Sequence, residues 1–312
     1  MTRKLIAFAC IALLIALAGC GSQSTPTSIP EPTAAPETSQ AIVLAEVGDE
    51  PSETIEAFQP MADYLAAQLQ EQGISVGEVK VAPDLETMAE WIETGEVDIF
   101  FDSPYPALIV SDETGAQPIL RRWKDGVSEY STIFFARADS EVESLESMPG
   151  HTIAFEESFS TSGYMLPLAH MIEVGLQPVE IAEPGDEVGD DEVGFVFSGD
   201  DENTIQWVVS NRVSVGVVDS NTYSHIPEET REQLRIVAET EALPRHLVVV
   251  RPGMEPELVD AIIAVLTAMD ESEDGLAVLE SFEETAQFDE FPGGIAAALA
   301  RMRELYELVT RE

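Results

Sequence analysis

Residues 151–165 read His151-Thr-Ile-Ala-Phe-Glu-Glu-Ser-Phe-Ser160-Thr-Ser-Gly-Tyr-Met165. The first five residues have β-strand character and a helical pattern starts near Met165, so Ser160-Thr-Ser-Gly163 predicts a turn at a helix N-terminus. The first backbone N–H groups of a helix lack partners within it, and its dipole is positive there. Together with three hydroxyls, these groups fit an anion-binding site. An ordinary Ser/Thr N-cap is the alternative interpretation of the same residues.

The alternation of strand and helix extends from residue 41 to the end of the chain, and it is typical of an α/β fold with largely parallel sheets. The stretch 180–193 is acidic and has no periodicity, which predicts an exposed loop. Strands are predicted at 41–47, 76–81, 97–101, 117–121, 130–137, 152–155, 194–197, 213–218, 234–238 and 246–251. Helices are predicted at 55–72, 85–93, 106–112, 163–174, 202–210, 255–269 and 293–310.

Two segments of the chain resemble each other, one ending in Asp102-Ser-Pro-Tyr105 and the other in Asp219-Ser-Asn-Thr-Tyr223. In each, a buried strand precedes Asp-Ser and a tyrosine follows at the start of the next helix. Two similar α/β lobes would face each other across a cleft, with the ligand at the carboxyl ends of the strands. We predict that residues 41–133 with 245–312 form lobe 1 and that 134–244 form lobe 2. The hinge is expected near 133–136 and 244–248.

The first forty residues predict export and a membrane anchor. Arg3 and Lys4 precede a short apolar run that ends Leu17-Ala-Gly-Cys20. This pattern indicates a secretory signal peptide, residues 1–19, which is too short to span a membrane. The ending resembles a bacterial lipobox, with Cys20 as the lipidated first residue. Plain secretion is the alternative. Residues 20–40 then form the lipidated cysteine and a disordered Pro/Ser/Thr tether, so the protein is expected to be extracytoplasmic, lipid-anchored to the membrane on its periplasmic face or at the cell surface.

Composition argues against several classes of protein. The formal net charge of −44 disfavours a nucleic-acid partner. Cys10, the only cysteine besides Cys20, lies in the signal peptide, so the mature chain offers no thiol chemistry. The sequence lacks a nucleophile elbow, a phosphate-loop lysine and metal-ligand spacing, so we expect no enzymatic activity, no cofactor and no metal. A catalytic triad around Ser160 has no positive support, although the sequence alone leaves it open.

Four strand-to-helix turns combine hydroxyls or carboxylates with small residues. They are Asp102-Ser-Pro-Tyr105, Ser160-Thr-Ser-Gly-Tyr164, Ser198-Gly-Asp-Asp-Glu-Asn-Thr204 and Asp219-Ser-Asn-Thr-Tyr223. In this order and spacing they resemble the substrate-binding proteins of phosphate, phosphite and phosphonate ABC importers, the phosphonate-binding branch of the type II periplasmic binding proteins. Phe197-Ser-Gly199 adds to the resemblance, which extends from about residue 42 to about residue 269.

The resemblance implies two lobes, each with a central mixed sheet, and a hinge about which they close on an oxyanion. It also implies ABC permease subunits as partners. In this family the Ser-Thr-Ser turn holds the phosphonyl oxygens, and an aromatic residue follows the third strand of the first lobe. The ligand-binding residues predicted in this way, together with further candidates from the four turns and the crossing strand, are Ser103, Tyr105, Tyr130, Ser160, Thr161, Ser162, Tyr164, Asp200, Asp201 and Asp219.

Two departures from the family pattern leave the ligand open. Asp102-Ser103-Pro104 replaces a Gly-Pro of the family, and Asp200 and Asp201 stand where a histidine is common. Carboxylates beside a desolvated oxyanion are unfavourable. Either the ligand is a zwitterion whose amine meets Asp201 or Asp219, or these aspartates only cap helices.

The predicted function is therefore an extracytoplasmic solute-binding lipoprotein of an ABC importer that captures a phosphonate, phosphite or phosphate-type oxyanion. The alternatives are a binding protein for a zwitterionic or cationic amine, or a sensory binding lipoprotein. Cations that could contact an oxyanion are scarce. Those near the predicted crossings are Arg121, Arg122, Lys124 and the pair Arg245-His246, and we expect most of them on the surface.

Overall fold

The computed structural model describes residues 40–310. The predicted signal peptide, Cys20 and all but the last residue of the predicted tether lie outside the described residues. Within residues 40–310, none of the helices combines the length and the apolar character that a membrane span needs.

Strands and helices alternate through the described residues. The strands are β1 (Gln40–Val47), β2 (Ile74–Ala82), β3 (Ile99–Asp102), β4 (Gln117–Arg122), β5 (Glu129–Tyr130), β6 (Thr132–Arg137), β7 (Thr152–Phe155), β8 (Gln177–Glu180), β9 (Glu192–Phe197), β10 (Val215–Asp219), β11 (Leu234–Glu239), β12 (Leu243–Pro244), β13 (His246–Val250) and β14 (Phe288–Asp289). The helices are α1 (Pro51–Gln68), α2 (Leu85–Thr94), α3 (Pro104–Thr114), α4 (Leu166–Glu173), α5 (Asp201–Val209), α6 (Ser220–His225), α7 (Glu228–Arg231), α8 (Pro256–Thr267), α9 (Glu273–Ser281) and α10 (Ile295–Thr310).

The first sheet has the strand order β14-β4-β13-β3-β1-β2. Strands β1, β2 and β3 are parallel, whereas β13 runs antiparallel to both β3 and β4. Helix α1 covers one face because Phe58, Met61 and Leu65, spaced at three and four residues, are all fully buried. Gly77 lets this helix approach β2, since a Cβ atom there would overlap the backbone of Ala62.

The second sheet has the strand order β11-β6-β10-β7-β9-β8. Strands β8, β9, β7 and β10 are parallel, and β6 runs antiparallel to β10 and β11. Its core includes the buried residues Phe134, Phe155, Val215 and Val217. Two mixed sheets flanked by helices confirm the predicted fold class, with more antiparallel pairing than strand–helix alternation alone suggests.

The chain passes between the two sheets twice. It leaves the first sheet after β4 and enters the second at β6, and it returns between β11 and β13. The two crossings pair with each other, because β5 and β12 form a separate two-stranded antiparallel sheet. The prediction of one continuous strand over 130–137 is therefore wrong: Ser131 separates β5 from β6, and its backbone N–H bonds the Ser220 hydroxyl instead of a neighbouring strand. The lobe boundaries and the hinge stay predictions, although β6 joins the second sheet from Thr132.

Several elements have no counterpart among the predicted strands and helices, among them β8, β12, β14, α7 and α9. The edge strand β8 pairs only with β9, and Pro178 within it weakens the sequence signal of a strand. Helix α9 is short and only Gly275 and Leu279 are buried on it, so its apolar periodicity is slight. The acidic stretch predicted as a loop is shorter than expected, because Glu180 closes β8 and Glu192 opens β9.

Candidate functional site

A cavity of about 220 Å³ lies where the carboxyl ends of strands from both sheets meet. Residues after β3 and at the start of β13 contribute from the first sheet, and residues after β7 and at the end of β10 contribute from the second. The crossings add one residue each. The lining residues are Asp102, Ser103, Tyr130, Glu156, Glu157, Phe159, Ser160, Ser162, Asp201, Asp219, Thr222, Arg245 and His246.

Six of the ten predicted ligand-binding residues line this cavity. They are Ser103, Tyr130, Ser160, Ser162, Asp201 and Asp219. Tyr105, Thr161 and Asp200 do not line it, and Tyr164 lines a neighbouring cavity.

The Ser-Thr-Ser turn is both a helix cap and a cavity wall. It opens a π-helical turn, Thr161–Met165, that continues into α4. The Ser160 hydroxyl accepts from the Gly163 N–H at 2.9 Å and donates to Glu156 Oε2 at 2.7 Å. A Cβ atom on Gly163 would overlap the Glu156 side chain, so only glycine allows this close approach. The capping interpretation is therefore confirmed for Ser160, and the anion-site interpretation of the same turn stays a prediction.

The Thr161 hydroxyl connects the two sheets instead of entering the cavity. It accepts from the backbone N–H of Tyr105 at 2.7 Å and donates to Ser103 Oγ at 2.9 Å. Its side chain is 1% exposed. The structure thus gives Thr161 a partner within the protein, because the N-terminus of α3 packs directly on the Ser-Thr-Ser turn.

The three predicted aspartates differ in their roles. Asp200 caps α5 by accepting from the Asn203 N–H at 2.6 Å, and its side chain does not line the cavity. Asp219 caps α6 through the N–H groups of Asn221 and Thr222, yet it also lines the cavity. Asp201 lines the cavity and accepts from Thr222 Oγ1 at 3.2 Å.

Carboxylates outnumber cations among the lining residues. Asp102, Glu156, Glu157, Asp201 and Asp219 face Arg245, the single arginine in the set, and the set contains no lysine. Burial, reinforced by the charges of Glu156 and Asp219, raises the pKa of Asp201 to about 8. Burial also raises the pKa of Asp102 to about 7. At neutral pH Asp201, and Asp102 in part, therefore keep protons that a cationic group of a ligand would displace.

A second cavity of about 630 Å³ adjoins the first and shares Glu156, Glu157 and Phe159 with it. It lies beyond the carboxyl ends of β7, β9 and β8. Three aromatic side chains, Phe159, Tyr164 and Phe197, line it together with Glu180. The two cavities provide a polar chamber that continues into a larger, partly aromatic one.

Sequence reasoning missed several lining residues. Glu156 and Glu157 lie between the predicted strand 152–155 and the predicted turn at Ser160. Residues that directly follow the carboxyl end of a strand are expected at the cavity. Arg245 and His246 were noted at the second crossing, but the expectation that most of these cations lie on the surface is wrong. Their side chains are largely buried because carboxylates pair with them: Arg121 and Arg122 bond Asp289 and Glu283, and Arg245 bonds Asp125.

Within residues 40–310, no group of three or more His, Cys, Asp or Glu residues is arranged to hold a metal ion. The polar groups around the cavity are hydroxyls, carboxylates, one guanidinium and one imidazole. Such a set suits hydrogen bonding to a small polar ligand.

Two mixed α/β sheets joined by two crossings, with a polar cavity at their carboxyl edges, define a type II periplasmic binding protein. The chain belongs to the family described as ABC transporter, phosphonate, periplasmic substrate-binding protein, which matches residues 47–291.

The chain is similar to a phosphate-import protein and to several solved structures. The phosphate-import protein PhnD of Mycolicibacterium smegmatis is 31% identical over 175 residues, 54% of this chain and 51% of that protein. The chain thus matches about half the length of this relative. XAC2383 from Xanthomonas citri, in a structure bound to chloride, is 28% identical with a TM-score of 0.80, covering 87% of this chain and 98% of the other. A structure of the same protein bound to ATP gives 27% identity and a TM-score of 0.80, over 88% and 98%. PhnD1 from Prochlorococcus marinus, in complex with methylphosphonate, shares the fold at 15% identity and a TM-score of 0.64, over 87% and 99%.

Proposed function

We propose that this chain is the extracytoplasmic solute-binding protein of an ABC importer and that its cavity captures a phosphonate-type oxyanion with an amine-bearing substituent. The observation that carries this proposal is the mixed lining of one small cavity. Serine and tyrosine hydroxyls stand at the Ser160–Ser162 turn, and buried carboxylates stand beside it.

The oxyanion end of the ligand would lie against Ser162 and Tyr130, since the Ser103 hydroxyl donates to Asp102 Oδ1 at 3.2 Å. Ser160 contributes less than the family pattern implies, because its hydroxyl proton is directed to Glu156. Burial raises the pKa of Tyr130 to about 12, so its phenol stays protonated and can donate a hydrogen bond. Neutral and charge-assisted donors in a desolvated site are the groups that hold an oxyanion.

The amine end would lie against Asp201, Asp219 and Glu156. These carboxylates have no lysine or arginine bonded to them, and burial raises the pKa of Glu156 as well as that of Asp201. An ammonium group would allow them to ionise, because an opposite charge at short range offsets the desolvation of a carboxylate. A bare dianion gains nothing from this wall and is repelled by any carboxylate that does ionise.

The adjoining cavity leaves room for a substituent larger than a methyl group. Its three aromatic rings would pack on an apolar or cationic chain. The relative XAC2383 has been solved with ATP. Here the glutamates shared by the two cavities would repel a triphosphate, so we expect compact zwitterions instead.

The surrounding biology follows from the family and from the predicted N-terminus. The chain would have no enzymatic activity of its own, would be held at the membrane through lipid on Cys20, and would deliver its ligand to ABC permease subunits. Closure about the crossings would bring both sheets onto the ligand, which stabilises the closed state because it contacts both.

Isothermal titration calorimetry with the matched pair ethylphosphonate and 2-aminoethylphosphonate tests the ligand class. We expect the amine to improve affinity at least tenfold, about 1.4 kcal/mol. Titrations at pH 7 in buffers of different ionisation enthalpy should show a proton release with 2-aminoethylphosphonate that decreases in Asp201→Asn, because the ammonium ionises Asp201. The variant separates this proton from those of the phosphonate group, which itself titrates near neutral pH.

The second candidate is a binding protein for purely cationic amines, which the five carboxylates of the cavity favour. Spermidine and putrescine belong in the same titrations. If they bind while both phosphonates and inorganic phosphate do not, the phosphonate proposal is wrong and the cationic one replaces it.

A further inference from the structure

The second crossing places two donors at the cavity that have no partner in the protein. Arg245 and His246 follow β12 and open β13, and both line the cavity. Among residues 40–310, Arg245 Nε and His246 Nδ1 are buried side-chain nitrogens without a hydrogen-bond partner. A buried donor without an acceptor is unfavourable by about 1–3 kcal/mol. Of the unpartnered buried atoms in this part of the chain, only these two belong to residues that line the cavity, where a ligand can supply the partner.

Arg245 is held rigidly in this position. Its backbone N–H donates to the Ser128 carbonyl at 2.9 Å, which ties the second crossing to the first. Its Nη2 donates to Asp125 Oδ2 at 2.9 Å, and its guanidinium carbon lies 4.7 Å from the centre of the Tyr130 ring. With Nη2 bonded to Asp125, the Nε–H and the N–H groups of Nη1 are the donors left for a ligand.

His246 stands beside it in a different electrostatic state. Its side chain is 5% exposed. Burial, together with the charges of Lys124, Arg245 and Arg122, holds the pKa of His246 well below its ordinary value. The imidazole is therefore neutral at pH 7, and in the tautomer with its proton on Nδ1 it contributes one N–H donor without adding charge.

We propose that Arg245 Nε and His246 Nδ1 form a second oxyanion-binding group on the crossing, opposite the Ser160–Ser162 turn, and that Arg245 determines the preference of the cavity for anions. This inference rests on the proposed function. The oxyanion would be held from the turn of the second sheet and from the crossing together. Arg245 is also the residue that offsets the five carboxylates of the lining, because a guanidinium stays charged when buried.

The test is Arg245→Gln, with affinities for ethylphosphonate and 2-aminoethylphosphonate measured by calorimetry. Ethylphosphonate should bind at least 100-fold more weakly, whereas 2-aminoethylphosphonate should lose less, because its amine still meets Asp201 and Asp219. The ratio of the two affinities should therefore change at least fivefold. Arg245→Lys, which keeps the charge but lacks Nε, should fall between the wild type and Arg245→Gln for both ligands.

Arg212→Gln is the matched control. Arg212 also stacks on an aromatic ring, with its guanidinium carbon 4.0 Å from the centre of the Trp207 ring, but it is exposed and does not line the cavity. Its substitution should leave both affinities unchanged. If Arg245→Gln lowers both affinities equally, Arg245 has a structural role only and the inference fails.

A measurement on the wild-type chain covers the case in which Arg245→Gln does not fold. The ¹⁵Nε–¹H signal of Arg245, assigned by its absence in Arg245→Lys, should shift downfield when ethylphosphonate is added. An unshifted signal at saturating ethylphosphonate would refute the inference while leaving phosphonate binding intact. Absence of any phosphonate binding by the wild type would instead refute the proposed function.

Discussion

Arg122 and Arg245 are both buried arginines stacked on aromatic rings, yet they have opposite environments. The Arg122 guanidinium carbon lies 3.7 Å from the centre of the Phe282 ring, and Arg122 donates to Thr285 Oγ1, to the Phe282 carbonyl and to Glu283. Arg245 donates from its side chain to Asp125 alone. Arg122 is fully buried away from the cavity, whereas Arg245 lines it.

This difference distinguishes two groups of residues. Residues whose polar groups are bonded within the protein, such as Arg122, form the frame, and residues that line the cavity, such as Arg245, form the ligand-binding face. Arg122 fastens the segment after α9 to the end of β4, and although its Nη1 has no partner, its other nitrogens are satisfied within the protein. Charges with partners on the same chain hold the fold together. Arg245, which has a single side-chain partner, and carboxylates without a bonded cation line the cavity, where a ligand can supply the missing group.

Removing Arg122 should have the largest effect on stability. Arg122→Met leaves Glu283 with Lys124 as its remaining cation and removes the donors to Thr285 Oγ1 and to the Phe282 carbonyl, so we expect a loss of about 3–5 kcal/mol in urea unfolding. Arg245→Gln should lose less than half as much. The double variant Arg122→Met/Glu283→Gln should recover part of the loss, because residue 283 is then neutral and only the partly exposed Lys124 loses its ionic partner. Equal losses for Arg122→Met and Arg245→Gln would contradict the distinction between frame and ligand-binding face.

Thr161→Val should show that a partnered hydroxyl of the Ser-Thr-Ser turn belongs to the frame. The buried Tyr105 N–H would lose its acceptor, which costs about 1–3 kcal/mol of unfolding free energy. Affinity for 2-aminoethylphosphonate should fall about tenfold, because the contact between α3 and the turn is weakened. Thr161→Ser keeps the hydroxyl and should restore both quantities. Wild-type stability in Thr161→Val would show that this contact is unimportant.

The pH dependence of stability should distinguish Glu283, a carboxylate bonded to cations of the protein, from Asp201, a cavity carboxylate without a bonded cation. Burial raises the pKa of Glu283, but the charges of Arg122 and Lys124 outweigh it and lower that pKa to about 2. The stability contributed by Glu283 is therefore present at neutral pH and lost as pH falls from about 4.5 towards 2. The pKa of Asp201 is raised to about 8 instead, so the folded state holds a proton that the unfolded state releases. Stability linked to Asp201 is lost as pH rises from about 4 to 8.

Thermal unfolding of the ligand-free protein between pH 5 and pH 8 measures the second effect. One pKa unit of linkage is about 1.4 kcal/mol, and each kcal/mol shifts Tm by about 2–4 °C in a chain of this size. We expect the wild-type Tm to fall by at least about 3 °C over this range and the fall to be smaller in Asp201→Asn. Glu283→Gln serves as control, since it should not alter the slope above pH 5. Identical slopes for the wild type and Asp201→Asn would contradict the raised pKa.

Variants of Asp200 and Asp201 should show the smallest effects, and they compare a helix-capping aspartate with an aspartate that lines the cavity. Asp200→Ala removes the N-cap of α5 and should cost about 1 kcal/mol without changing ligand affinity. Asp201→Asn should raise the stability of the ligand-free protein at pH 7, because keeping Asp201 protonated costs stability there, but it should weaken 2-aminoethylphosphonate about tenfold relative to ethylphosphonate. Calorimetry on the two variants decides between the capping role and the ligand-binding role for each residue.

Much of the fold could be predicted because strand and helix periodicities are local. The Gly-ended helix α2 and the strands β1, β7 and β13 lie within two residues of their predicted bounds. Local periodicity could not show that the run 130–137 is divided at Ser131, because the division arises from the pairing of β5 with the distant β12. The edge strand β8 likewise exists through its contact with β9.

The candidate site was predicted at the level of turns but not of individual side chains. The turns after β3, β7 and β10 all reach the cavity, since the carboxyl ends of parallel strands share an edge of a sheet. Which hydroxyl is free for a ligand depends on tertiary contacts. The Thr161 hydroxyl donates to Ser103, 58 positions away, and the Ser160 hydroxyl donates to Glu156.

The sequence by itself determined the α/β class, the family and the strand-end turns, because these depend on local periodicity and on motifs a few residues long. Only the tertiary structure decided which charged groups find partners. Arg122 and Arg245 cannot be told apart by their neighbours in the sequence, since pairing depends on residues 120 to 161 positions away. A buried charge is stabilised by whatever lies within a few ångströms of it, and that is set by the packing of the whole chain.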